Sequence, residues 1–86
     1  MKITVYTKPN CAACKATKAS FRMKGIEFDE VDLTTDNEAL SRVKDEWGFK
    51  EAPVVSTPFD QWSGYRPEKI KETERDLRAE TSPSEG

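Results

Sequence analysis

Two cysteines three positions apart, Cys11 and Cys14, are the residues of this chain whose type and spacing could do chemistry, and the chain has no others. They stand in Val5-Tyr6-Thr7-Lys8-Pro9-Asn10-Cys11-Ala12-Ala13-Cys14-Lys15, where Lys2 to Thr7 reads as a short strand, Pro9 and Asn10 as a turn, and Ala12 to Lys24 as a helix free of Gly and Pro. The first turn of a helix has unpaired N–H groups and the positive end of the macrodipole, both of which favour an anion. Cys11 is therefore the thiol expected to be held as the thiolate, with Lys8 and Lys15 acting in the same direction. Cys14 falls on the same helical face and turns inward, where it is placed to resolve a mixed disulfide.

Three other uses of such a pair stand beside redox exchange. A structural disulfide across so small a loop would stabilise little, because the entropic gain grows with loop length, and nothing in the chain signals export. A zinc site normally takes four Cys or His ligands, and two cysteines without a histidine supply them only if two chains share one ion. Two inert buried thiols are the third use, and a turn with a proline just ahead of the pair is a poor place to bury them.

The elements that must hold the pair come from one small domain, expected over residues 1–80 with a disordered tail over 81–86. Charged and apolar residues each make up 35% of the 86 residues, so the core must be small. A net charge of -2 argues against a nucleic-acid partner, and no apolar run is long enough to span a membrane. Residues 1–24 carry six bases and no acid, whereas the remainder carries 8 bases and 16 acids, so the cysteines lie in the positive part. Lys15, Lys18 and Arg22 either keep the helix solvated or steer an acidic partner toward Cys11.

Ile3 and Val5 alternate with polar neighbours on the first strand. On the helix Cys14, Thr17 and Phe21 share one face, Ala13 and Ser20 allow close approach to a sheet, and Gly25 ends the helix. Ile26, Phe28, Val31 and Leu33 suggest a second strand, parallel to the first across the helical crossover. Thr35 with Glu38 predicts a capping box for a second helix bearing Leu40, Val43 and Trp47 and closed by Gly48. Ala52 to Thr57 reads as a third strand opened by Pro53, Pro58 to Ser63 as a turn and short edge strand, and Pro67 as the start of a last helix. That helix offers only Ile70 and Leu77, with Thr73 between, and should be held weakly. The order is βαβαββα, an α/β arrangement with a mixed sheet and helices on its faces.

With Cys-x-x-Cys at the first strand-to-helix junction and a proline opening the third strand, the chain resembles the thioredoxin fold in its glutaredoxin-like form, a four-stranded mixed sheet with three helices. Ile3 to Pro9, Gly25-Ile26, Val31 to Thr34, Glu38 to Leu40, Ala52 to Val55 and Trp62 to Pro67 resemble the NrdH-redoxins, over about residues 2–70 without a large insertion. These are glutaredoxin-like electron donors of class Ib ribonucleotide reductase. The resemblance implies Cys11 as attacking thiolate, Cys14 as resolving thiol and Pro53 as a cis proline facing them. Ala52 would offer its backbone to an extended substrate peptide, and Trp62, Ser63, Gly64, Tyr65 and Arg66 would brace the wall near the site, although a plain core role suits Trp62 equally. Lys8, Ala12, Ala13 and Val54 complete the expected partner-binding set. The chain departs from the family in the minimal Ala12-Ala13 pair, in Gln61 where His is frequent, in Trp47 where a smaller aliphatic is usual, and in its extended tail.

By this resemblance the chain is a small dithiol-disulfide oxidoreductase, cytoplasmic and monomeric, without metal or bound cofactor. It would pass electrons from a thioredoxin reductase to the large subunit of class Ib ribonucleotide reductase. Alternatives are a glutathione-dependent glutaredoxin and, in another class, a non-catalytic thioredoxin-like binding module or a cluster-bridged dimer. Glutathione-binding glutaredoxins hold the γ-glutamyl end with a Gly-Gly turn followed by Asp, whereas the matching stretch here is Ser63-Gly64-Tyr65-Arg66-Pro67, with a cation about where the acid should lie. Lys8 would still meet a glutathione carboxylate.

Overall fold

The computed structural model describes residues 3–81, with side chains through Arg78. Strand β1 (Thr4–Thr7) runs through the middle of a sheet of order β2-β1-β3-β4. It pairs in parallel with β2 (Asp29–Asp32), Tyr6 opposite Val31, and antiparallel with β3 (Val54–Ser56), Val5 opposite Val55. Strand β4 (Gln61–Ser63) closes the far edge antiparallel to β3, with Trp62 opposite Val55. The parallel pair requires a crossover, and helix α1 (Ala12–Met23) supplies it.

Because strand side chains alternate between faces, Val5, Val55 and Trp62 lie on one side of the sheet and Tyr6 and Val54 on the other. The first set joins Ile3, Phe21, Ile26 and Ile70 in one core beneath α1 and α3 (Pro67–Thr81). The second joins Leu33, Ala39 and Val43 beneath α2 (Asn37–Ser41) and its continuation. Phe21 is fully buried, and removing such a ring from water contributes about 3 kcal/mol. Trp47 meets Tyr6 edge-on with centroids 5.7 Å apart, so its extra size covers the end of the second core.

Helix α1 buries Cys14, Thr17 and Phe21, the face anticipated from their spacing. It stops at Gly25, whose φ of +70° is left-handed, and the turn is closed by the N–H of Gly25 on the Arg22 carbonyl and that of Ile26 on the Phe21 carbonyl. Ile26 then enters the core as a plug and not as a strand residue. The second strand is therefore shorter than its apolar pattern suggested, although Asp29 and Leu33 still donate across to Ile3 and Thr7. The third strand likewise begins after Ala52-Pro53, at Val54.

The second helix differs from the expected capping box. Its N-cap is Asp36, whose carboxylate accepts the Ala39 N–H at 3.0 Å. Thr34 and Thr35 are engaged in the preceding turn, donating to the Asp32 carboxylate and the Asp32 carbonyl. Nor is the helix regular to its end, for residues Arg42–Glu46 widen into a π turn, with Trp47 N–H bonded to the Arg42 carbonyl. Phe49 N–H on the Val43 carbonyl closes it after Gly48. In α3, Ile70 and Thr73 are buried, and Lys24 pairs with Glu74 at 3.3 Å to join α1 to α3. Thr81, placed by sequence in a tail, ends this helix; the rest of the expected tail, like the start of the first strand at Lys2, lies outside the described residues.

Candidate active site

The end of β1, the turn before α1 and the start of β3 meet at the two cysteines. Asn10 takes a positive φ of 56°, a conformation Asn tolerates better than most residues, and swings the chain from strand into helix. Cys11 is itself the N-cap of α1, with extended φ and ψ of -120° and 106°. Its Sγ accepts the backbone N–H of Cys14 at 3.1 Å, doing what a Ser or Asp oxygen does in an ordinary cap. One orphan donor of the helix start is thereby aimed at sulfur, which is the arrangement a thiolate uses best.

Across the site the Cys11 thiol lies 3.8 Å from the carbonyl oxygen of Ala52, the residue before Pro53. The Ala52-Pro53 peptide is cis. Pro53 in turn accepts through its carbonyl the N–H of Gly64 at 2.8 Å. Gly64 has φ +85°, a backbone shape that suits glycine, and it turns the chain from β4 toward α3. The Arg66 Nε donates to the Ser63 carbonyl at 3.1 Å, and the Tyr65 hydroxyl meets Ser20 of α1 at 3.3 Å. The stretch from Ser63 to Arg66 thus ties the wall beside the thiols to both α1 and α3.

Both thiols are free and buried, Cys11 at 9% exposure and Cys14 at 2%. Burial first, and then the hydrogen bond with Cys11, push the Cys14 thiol up to about 11. Backbone at Lys8 and the ammonium of Lys18 pull the other way. Cys14 is therefore a thiol at neutral pH.

Of the residues expected to serve partners, Lys8 and Ala12 are exposed at the mouth and Ala13 and Ala52 are half-buried. Val54 and Trp62 are different. Val54 is fully buried in the second core and Trp62, 4% exposed, in the first, so neither side chain is available to a partner. The Trp62 Nε1 and the Thr17 hydroxyl have no hydrogen-bond partner among the described residues. Sequence reasoning missed a groove of about 560 Å³ beside the thiols, floored by Leu33, Leu40, Val43 and Phe49 and running from Lys8 to Ala52. Neither cysteine lines this groove, but Ala52 at its end faces the Cys11 thiol, whereas a larger hollow along Phe28 to Glu30 lies at the sheet edge away from the site. Also missed was the ion pair of Lys18 with Glu30, 2.9 Å, to which the buried Thr7 hydroxyl donates at 2.9 Å.

The glutaredoxin family pattern matches residues 3–57, with both cysteines and the cis proline inside the match. The glutaredoxin-like protein NrdH of Salmonella typhimurium is 39% identical over 70 residues, covering 81% of this chain and 85% of that protein. This chain belongs to the NrdH-type glutaredoxins. The NrdH of Escherichia coli K12 is 36% identical with the same coverage, and the Gene 56 protein of Mycobacterium phage D29 is 38% identical over 71 residues, covering 81% and 79%. The solved NrdH-redoxin from Escherichia coli, described as glutaredoxin-like with a thioredoxin-like activity profile, superposes with a TM-score of 0.80 at 35% identity, covering 84% of this chain and 93% of that one. The redoxin is accordingly a thiol-disulfide oxidoreductase of thioredoxin-like fold. Among the described residues no helix is long and apolar enough to cross a membrane.

Proposed function

We propose that this redoxin carries electron pairs in the cytosol from a thioredoxin reductase to the large subunit of a class Ib ribonucleotide reductase. The Cys11 thiolate attacks one sulfur of the target disulfide, forming a mixed disulfide and releasing the other sulfur as a thiolate that takes a proton from solvent. Cys14 then gives up its proton, attacks Cys11 Sγ and expels the second target thiolate, leaving a Cys11-Cys14 disulfide. The reductase returns two electrons to that disulfide. The observation that carries this order is the asymmetry of the pair: one sulfur receives a helix N–H at the mouth and the other is 2% exposed behind it. An extended target segment would lie along the groove from Lys8 to the Ala52 backbone.

The choice of reductant rests on Arg66. Its guanidinium is half exposed and fixed over the turn by Ser63, with Glu68 4.0 Å away. A γ-glutamyl ammonium entering here meets a cation where glutathione-binding relatives present an acid. Two coupled assays following NADPH loss test the reading, one with thioredoxin reductase alone and one with glutathione and glutathione reductase. Faster turnover is expected in the first. Equal or faster turnover in the second replaces this assignment with a glutathione-dependent one.

A further inference from the structure

Resolution of the mixed disulfide needs Cys14 as a thiolate, yet Cys14 is the more buried thiol of the pair. Something near it must favour the anion during that half of the exchange. The charged and polar groups that face it are Cys11 at the helix start, the backbone of Lys8 from the preceding turn, and Lys18 from its own helix. Lys18 is four residues along α1 and therefore next to Cys14 on the helix surface, about one turn away.

This lysine is not a free surface cation. Its side chain is 20% exposed, and its Nζ is fixed 2.9 Å from Glu30 Oε2 on β2. The same oxygen accepts the hydroxyl of Thr7, a residue 4% exposed at the end of β1. The Lys18 ammonium, more than the Thr7 hydroxyl, holds the Glu30 carboxyl below its ordinary range, and Arg22 adds to this from the next turn of α1. Glu30 is consequently charged at neutral pH and both tethers and partly neutralises the ammonium. A buried hydroxyl is thus committed to fixing the carboxylate that fixes the cation.

We propose that Lys18, anchored by Glu30 and Thr7, is a positioning residue for the resolving half of the exchange, its ammonium stabilising the Cys14 thiolate as it attacks Cys11 Sγ. The proton leaves to solvent, the bond from Cys11 to the target sulfur breaks as the Cys11-Cys14 bond forms, and the target leaves as a thiolate. Lys18 keeps its proton throughout. This inference rests on Cys11 attacking and Cys14 resolving.

Pre-reduced full-length redoxin is mixed with one equivalent of the neutral reagent dithiodipyridine in stopped flow across the neutral and mildly alkaline range. The first release of thiopyridone reports attack by Cys11 and the second reports resolution by Cys14. Lys18→Gln should leave the first phase near wild type and slow the second at neutral pH about threefold to tenfold, since an opposite charge near a thiol favours its anion and Glu30 already offsets part of this one. Lys18→Arg should restore most of the rate. Glu30→Gln keeps an acceptor for Lys18 and Thr7 but removes the negative charge, so it should speed the second phase and move its pH profile downward.

A purely structural staple predicts that Lys18→Gln and Glu30→Gln slow resolution together, and that result overturns the proposal. So does a Lys18→Gln second phase that follows wild type across the pH range. Cys14→Ser is the control for the underlying assignment, and it should show the first phase alone. If it lacks the first phase, the roles of the cysteines are reversed and both readings fall, whereas a normal control with an unmoved Lys18→Gln profile refutes only the role of Lys18.

Discussion

Raising the pH on the reduced redoxin should destabilise it through Cys14. The folded protein keeps this thiol protonated up to about 11, against an ordinary value of 9.0, because burial and the hydrogen bond with Cys11 disfavour the thiolate. The unfolded chain carries no such penalty, so above its own titration it loses the proton and gains free energy that the folded protein does not. The stabilisation is fully present below about pH 9, falls as pH rises, and is gone above the folded-state value. One pH unit of difference in titration corresponds to about 1.4 kcal/mol, so roughly that much should be lost between about pH 8 and pH 10, and close to 3 kcal/mol beyond pH 11. Cys14 is 2% exposed, so screening by solvent does not reduce this much. Urea unfolding under reductant, at several pH values, compares wild type with Cys14→Ala. The variant begins less stable because of its smaller side chain, and only the slope against pH is compared, which removes contributions from lysines and tyrosines common to both. Parallel slopes in the two proteins would show that burial of Cys14 does not penalise its thiolate, and the assigned division of labour between the thiols would lose its physical basis.

Cys14→Ser should trap a covalent mixed disulfide with a target on non-reducing gels while Cys11→Ser traps none; trapping by Cys11→Ser would reverse the roles. Phe21→Ala removes a fully buried ring from the core beneath α1 and should cost about 3 to 5 kcal/mol in denaturant titration, enough to leave this small domain largely unfolded. Asp36→Ala removes the carboxylate that accepts the Ala39 N–H and should cost about 1 kcal/mol, whereas Thr35→Ala, outside the cap, should cost less; the opposite ranking would restore Thr35 as the cap.

What the sequence made legible was governed by local spacing. Cys14, Thr17 and Phe21 fall on one helical face whatever surrounds them, and Gly25 ends that helix for a reason internal to five residues. The Thr35 cap was misplaced by one residue because the decision lay outside the helix: Asp32 draws both threonines into its own turn, leaving Asp36 to meet the first free N–H. The π turn at Arg42–Glu46 escaped notice because an extra residue in a helical turn leaves little trace in a heptad-like pattern. Val54 and Trp62 sat within stretches that resemble a binding surface, yet strand alternation sends both side chains into the core. The groove and the Thr7-Glu30-Lys18 cluster needed tertiary register. Thr7 reaches Glu30 only because β2 lies parallel to β1, with Thr7 opposite Asp32.

The same helical phase that packs α1 also sets its chemistry. Cys14 lies one turn above Thr17 and two above Phe21 on the buried face, so the ring that anchors the helix fixes how deeply the Cys14 sulfur is held. Lys18, four residues on from Cys14 but one past Thr17, falls at the border of that face, near enough to act on the thiol and far enough out to meet Glu30 on the sheet edge. Turning the helix so that Lys18 took the buried place of Thr17 would move Cys14 to the half-buried place of Ala13 and bury the ammonium away from its carboxylate. Each of these changes costs stability, so the packing of Phe21 and the burial of Cys14 are a single constraint on this helix.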